Sequence, residues 1–91
     1  MTIPRGIPLT AEQEMRIRDL LLPGLVSQAR AFGKDPAHFD LAAEDDGLWL
    51  VDRQANNTLL SKIASRGELA DGTYRVHFRA RLDAALQGVS P

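Results

Sequence analysis

The sequence predicts a single α+β domain in which a kinked N-terminal helix packs on a small antiparallel sheet. Three observations lead to this fold class: an apolar helical pattern that begins at Thr10, an Asp46-Gly47 pair between strand-like runs, and strict period-two alternation over residues 73–82. The sheet would consist of a hairpin and a C-terminal strand, with a short second helix between them. Ninety-one residues are enough for one modest core and one domain.

Composition and charge narrow the classes of function. The net charge of -1 argues against a general nucleic-acid binder, which would usually be basic. The chain has no cysteine, so it forms neither a disulfide nor a thiolate metal site. Residues 1–9 lack the apolar run of a secretory signal, and the apolar runs elsewhere are too short to span a bilayer. We therefore expect a soluble cytoplasmic protein without membrane contact.

The N-terminal helix is predicted from its cap and from its apolar spacing. Residues 1–9 hold two prolines and a glycine and are expected to form an irregular arm. Thr10 and the glutamine three residues later have the spacing of a capping box. Apolar residues then recur at helical spacing as far as Phe32, and Gly33 suits a left-handed cap. Since Pro23 has no amide proton, we expect a kink or break there and two helical pieces in one bent rod.

A β-hairpin is predicted over residues 38–53, with its turn near Asp45 to Gly47. Alternation precedes the turn, and Asp-Gly is a strong hairpin signal between strand-like runs. The apolar run at residues 48–51 suits a strand that is covered on both faces. A short helix that begins at Pro36 is the alternative.

Residues 56–66 allow two interpretations. Their apolar side chains recur at helical spacing, which predicts the short second helix, ending at Gly67. A strand from Thr58 to Ile63 is the alternative. In both cases a loop at residues 67–72 would lead into the final strand.

The C-terminal strand is the clearest pattern in the chain. Over residues 73–82, apolar and polar residues alternate without exception from Tyr74 onward, as in a half-buried strand whose successive side chains point to opposite faces. Residues 82–87 would add a helical turn, and residues 88–91 should fray. The predicted core contains Phe78, Val76, Leu50, Leu21 and Leu25.

The polar side of this strand is the main candidate for a binding function. It carries Arg75, His77, Arg79 and Arg81. Arginine forks bind phosphate and carboxylate alike, so this row could dock an acidic protein or a nucleic-acid backbone. The alternative is a solvated sheet face whose arginines pair with acids of residues 40–52 on the neighbouring strand.

Trp49 is the second candidate for a binding residue. It lies in a strand that is apolar on both faces, and a domain of this size has little material to cover the second face. A core position is the usual role of such a tryptophan. The other role is contact with a partner or with a second copy of the chain.

Motifs for catalysis or metal binding are not recognisable in the sequence. His38, Asp40 and His77 could in principle form a two-histidine, one-carboxylate set, but no recurring ligand spacing supports it. The serines have no nucleophile-elbow glycines around them, and the acids at residues 44–46 lie at a predicted turn tip. We therefore predict no metal, no cofactor and no enzymatic activity.

These observations favour a small non-enzymatic protein-binding, adaptor or inhibitor-like domain that acts through protein–protein contacts. An acidic protein is the kind of partner that the arginine face would suit. The alternative is nucleic-acid binding through the arginine face of residues 73–82. A small enzyme or metal protein is the third hypothesis, and a homodimer is compatible with either binding function.

Overall fold

A three-stranded antiparallel sheet with its second strand at the centre organises the chain. The structure, a computed structural model, describes residues 10–88. The helices among them are α1 (Ala11–Ala31), α2 (Arg66–Asp71) and α3 (Tyr74–Gly88). The strands are β1 (Phe39–Glu44), β2 (Gly47–Asp52) and β3 (Thr58–Ser65). The predicted α+β class is therefore confirmed, with an N-terminal helix followed by a hairpin. The irregular arm predicted for residues 1–9 lies outside the described residues.

Both predicted ends of α1 are confirmed. The Gln13 amide donates to the Thr10 hydroxyl at 3.1 Å, and the Thr10 amide donates to the Gln13 side chain at 3.0 Å. At the other end Gly33 has φ +71°, and its amide donates to the carbonyl of Arg30 at 3.0 Å. These local hydrogen bonds satisfy backbone groups that the helix itself cannot satisfy.

Pro23 lies inside α1 without ending it, so the prediction of two separate helical pieces is wrong. A proline in a helix interior costs about 3 kcal/mol, because it removes one hydrogen bond and crowds the preceding turn. The next two turns are held by Leu25 and Ala29, which are buried against the sheet. Tertiary packing therefore maintains the helix where local propensity would interrupt it.

The predicted hairpin is confirmed. Phe39 pairs with Asp52 at its open end and Glu44 pairs with Gly47 at its turn. Gly47 has φ +144°, and a Cβ there would lie 2.0 Å from the carbonyl oxygen of Ala64 on β3. Only glycine fits this close approach of two backbones. The competing helix is limited to one 3-10 turn, Pro36–His38.

Residues 56–66 form strand β3, so the predicted second helix is wrong there and the alternative of a strand is correct. The chain reverses at Asn56 and Asn57, which both have φ 57°. Asparagine tolerates this left-handed conformation, so the pair favours a turn between two strands. The pairing of β3 with β2 contains two β-bulges, and Leu59 and Leu60 stay exposed.

The strand predicted for residues 73–82 is helix α3, and this is the largest correction. Tyr74, Phe78 and Leu82 are four residues apart, and a spacing of four satisfies both a period of two and a helical repeat. Leu86 continues the helical stripe and is fully buried, as is Leu82. Val76, which only a strand would bury, is 75% exposed.

The loop predicted for residues 67–72 is also wrong, since residues 66–71 form α2. Ser65 and Glu68 make a second capping box at its start, and Gly72 ends it with φ +84°. A helix this short depends on such caps, because it has few internal hydrogen bonds. Of the tail predicted to fray, only Gly88 is described, and it is the last residue of α3.

The core lies between one face of the sheet and the helices. Leu25 and Leu50 are buried there, as predicted. Leu21 and Phe78 are partly buried and pack against the core. Val76 is outside it, because α3 turns this residue toward solvent.

Candidate binding surface on the third helix

The helical conformation of α3 divides the four cations of the predicted row. Each helical residue turns the side chain by about 100°, so Arg75 and Arg79 share one side and His77 and Arg81 share another. The four cations therefore do not form the single strand face that the sequence predicts. What they can bind has to be considered separately for each pair.

Arg81 and His77 face the carboxylate of Glu68 on α2. Arg81 Nη2 lies 2.8 Å from Glu68 Oε2, and Arg81 Nη1 also donates to the carbonyl of Ile63 at 3.3 Å. The Nε2 atom of His77 lies 3.9 Å from Glu68 Oε2. The hydrogen bond from Arg81, followed by that from the Ser65 backbone, lowers the pKa of Glu68 from 4.5 to about 2. This pair joins α2 to α3 and holds Arg81 inside the domain.

The acids of residues 40–52 do not pair with the arginines of α3. Asp40 accepts a hydrogen bond from Arg18 on α1 at 2.7 Å. Asp46 lies 3.0 Å from the Nζ atom of Lys62 on β3. Internal pairing of the arginines therefore occurs, but only for Arg81 and through a different acid.

Arg75 and Arg79 stay in solvent. Arg75 lies over the ring of Tyr74, 5.6 Å from its centroid, and its Nε donates to the Tyr74 hydroxyl at 3.3 Å. Within residues 10–88, no carboxylate forms an ion pair with Arg75. The Arg79 side chain is 76% exposed, and its carboxylate partner Asp83 is 4.0 Å away. Two guanidinium groups one helical turn apart are thus poorly neutralised.

The same part of α3 carries exposed apolar surface. Val76 is the most exposed large hydrophobic residue in the described chain, at 75%. Ala80 follows it one turn later and is also exposed. We call Arg75, Val76, Arg79 and Ala80 the outer face of α3.

Helix α1 lies beside this outer face. A Cβ at Gly24 would lie 3.4 Å from the ring of Phe78, and Gln28 donates to Asp83 at 2.6 Å. Because both contacts advance in the same direction, α1 and α3 run parallel. Leu20, one turn before Gly24, is 69% exposed, so apolar surface continues from α3 onto its neighbour.

Trp49, the second predicted candidate, belongs to another region. Its neighbours in β2, Leu48 and Leu50, point into the core, so alternation places Trp49 on the opposite face of the sheet. Its Nε1 donates to Asp46 at 2.8 Å, and Lys62 Nζ lies 5.8 Å from the ring centroid. Trp49 is half-buried and makes its polar contacts within the chain.

The three residues considered for a metal set lie on different elements. His38 pairs with Asp35 at 3.4 Å and with Gln54 at 3.0 Å, whereas His77 faces Glu68 on α2. In the part of the chain that the structure describes, no three histidine or acidic side chains gather as metal ligands would. The described helices also include none that is long and apolar enough to cross a bilayer.

Two ion pairs that join distant elements were not predicted. The Ser-x-x-Glu pattern at Ser65 and Glu68 is a sequence signal for the cap of α2, and it could have placed this carboxylate. Glu14 on α1 is only 5% exposed and accepts from Arg66 at 3.1 Å, while its Oε2 atom has no hydrogen-bond partner among residues 10–88. Its position in the first turn of α1 predicts only a favourable contact with the helix dipole.

No protein-family model, curated protein or solved structure matches this chain. Function must therefore be argued from the chemistry of its own surface.

Proposed function

We propose that this domain is a small non-enzymatic binding domain that acts through protein–protein contacts, and that an acidic partner docks on the outer face of α3. The observation that carries the proposal is the exposed pair Arg75 and Arg79, one turn apart and poorly neutralised, beside the exposed side chain of Val76. The other well-placed arginines of the domain are used to join its elements, as Arg18 and Arg81 are.

Like charges one helical turn apart weaken a helix by a few tenths of a kcal/mol. The folded monomer gains nothing from this arrangement at Arg75 and Arg79. A partner with two carboxylates would remove the repulsion and form charge-assisted hydrogen bonds with both guanidinium groups. Electrostatic attraction would also accelerate the encounter.

The partner's chemistry follows from the layout of the surface. Side chains four apart on a helix have Cβ atoms about 5–6 Å apart, so two acids with the same spacing on a partner helix can meet Arg75 and Arg79. An apolar side chain between them would cover Val76, and a second would reach Leu20. The surface therefore suits an acidic amphipathic helix.

Nucleic-acid binding has less support. A phosphate backbone is best bound by several cations along one track. Here Arg81 is held by Glu68, and Asp83 lies beside Arg79. Two arginines with an acid alongside are a small patch for a polyanion, and they suit a short acidic segment better.

The proposal is tested by affinity capture from the native lysate with three baits: the wild type, the double variant Arg75→Glu/Arg79→Glu, and Arg16→Glu. Arg16 is a matched control, because its side chain is also exposed but lies on α1 and pairs with Glu12. We expect specific partners that are lost with the double variant and kept with the control. Identical partners with all three baits contradict the proposal.

A nuclease-treated arm separates the two binding hypotheses. Partners that survive nuclease treatment support direct protein contact, whereas partners that disappear would favour nucleic-acid binding. For a surviving partner, the double variant should bind more weakly and mainly with slower association, and salt should weaken the wild-type complex. Chemical denaturation of the double variant should give the wild-type midpoint, since both side chains are exposed.

A further inference from the structure

The two edges of the sheet are not equivalent, and we propose that the outer edge of β3 pairs with the same edge of a second copy of this chain. The product would be a two-fold dimer with a continuous six-stranded antiparallel sheet. Its surface is distinct from the outer face of α3, so the inference does not depend on the proposed partner. The two edges differ in whether their backbone groups are occupied.

The edge of β1 is closed by side chains. The amide of Leu41 donates to Asp40 Oδ1 at 2.8 Å, and the carbonyl of Leu41 accepts from Arg18 Nε at 2.5 Å. The amide and carbonyl of a strand residue point to the same side of the strand, so Leu41 directs both toward the free edge. Arg18 and Asp40 also bind each other at 2.7 Å, which keeps both in place. A further strand cannot pair there without breaking these bonds.

The edge of β3 is open over residues 58–62. Among the described residues, no side chain hydrogen-bonds to the backbone of this stretch; the carbonyl of Ile63, just beyond it, accepts from Arg81. Leu59 is 41% exposed and Leu60 is 36% exposed. An edge strand with free backbone groups and exposed leucines is a template for pairing with another chain.

The charge of β3 does not prevent it from pairing with itself. Lysine often protects an edge strand, and Lys62 is the single charged residue in β3. Its ammonium group is bound to Asp46 at 3.0 Å and lies near the ring of Trp49, toward the central strand. Two copies of β3 can therefore approach without opposing charges at the seam.

A second copy is the occupant that this asymmetry favours. Two antiparallel β3 strands centred near Leu60 would bring the exposed leucines of both copies together and remove their apolar surface from water. Because the edge of β1 is closed, pairing ends with two copies instead of growing into a fibre. Such a closed assembly needs one open edge per chain, and the described sheet has one.

The test measures the molecular mass of the full chain by sedimentation equilibrium over a range of concentrations. We expect a monomer–dimer equilibrium for the wild type. Leu60→Lys should weaken it by at least about tenfold, because two lysines would meet near the two-fold axis. Leu20→Lys is the matched control, since Leu20 is an exposed leucine on α1. It should leave the equilibrium unchanged.

Hydrogen exchange of the wild type provides a second measurement that needs no variant. Amides of residues 58–62 should exchange more slowly as concentration rises, while those of residues 39–44 should not change. A wild type that stays monomeric throughout overturns the proposal, and the two β-bulges of β3 would then be sufficient to protect its edge. A dimer that is dissociated by Leu20→Lys, or one whose β3 exchange is independent of concentration, overturns it as well.

Discussion

Arg81 on α3 binds both carboxylate oxygens of Glu68 on α2, with Nη2 and Oε2 2.8 Å apart. The same guanidinium reaches the carbonyl of Ile63 on β3. One arginine of a row that the sequence predicts in solvent thus connects two helices and a strand. Its neighbour Arg79, on the same helix, makes no comparable contact.

The first prediction compares these two arginines. Arg81→Met should lower the denaturation midpoint clearly, because it leaves the carboxylate of Glu68, whose side chain is 19% exposed, without its main partner. Arg79→Met should stay close to the wild type, since exposed ion pairs contribute little. Methionine keeps most of the apolar stem, so the comparison isolates the charge. Urea denaturation at neutral pH measures both variants, and equal midpoints would contradict the assignment.

The second prediction concerns pH. The hydrogen bond from Arg81 lowers the pKa of Glu68 to about 2 in the folded protein, below its value of 4.5 in an unfolded chain. A depressed pKa stabilises the folded state above the unfolded value, and this contribution is lost as pH falls from about 4.5 toward 2. Glu68→Gln should therefore be less stable than the wild type at neutral pH, and the difference should shrink through this acidic range. A constant difference in urea denaturation across these pH values would disagree.

The third prediction separates the helix from the predicted strand. Leu82→Ala should cost about 2–5 kcal/mol, the usual range for removing a fully buried leucine. Val76→Ala should change the free energy of unfolding by less than about 0.5 kcal/mol, because the side chain is exposed. In a strand both residues would enter the core and both changes would be costly. Chemical denaturation of the two variants decides the question.

The fourth prediction concerns Gly47 at the start of β2. Gly47→Ala should cost about 2–5 kcal/mol, since backbone strain and steric overlap each contribute roughly 1–3 kcal/mol. The new methyl group would have to move away from the Ala64 carbonyl, 2.0 Å from its ideal position. Gly67→Ala is the control, because a Cβ at that position of α2 has no neighbour closer than 3.9 Å. The control should be neutral or up to about 1 kcal/mol more stable, as alanine favours a helix.

The hairpin and both ends of α1 could be predicted from the sequence because their causes are local. Asp46-Gly47 specifies a tight turn, and Thr10 and Gly33 satisfy backbone groups within a few residues of themselves. The candidate site was predicted only in part. Arg75 and Arg79 are exposed together, whereas the position of Arg81 depends on Glu68, which is distant in space until α2 forms.

The sequence by itself determined the α+β class, the hairpin and the helix caps, because each follows from interactions within a few residues. Tertiary structure decided the conformation of residues 58–88. The apolar residues of β3 fit a helix as well as a strand, and those at the start of α3 fit both periods equally. The choice came from pairing β3 with β2 and from burying Tyr74, Leu82 and Leu86 on one side of α3. These contacts join residues far apart in the chain, so no local pattern contains them.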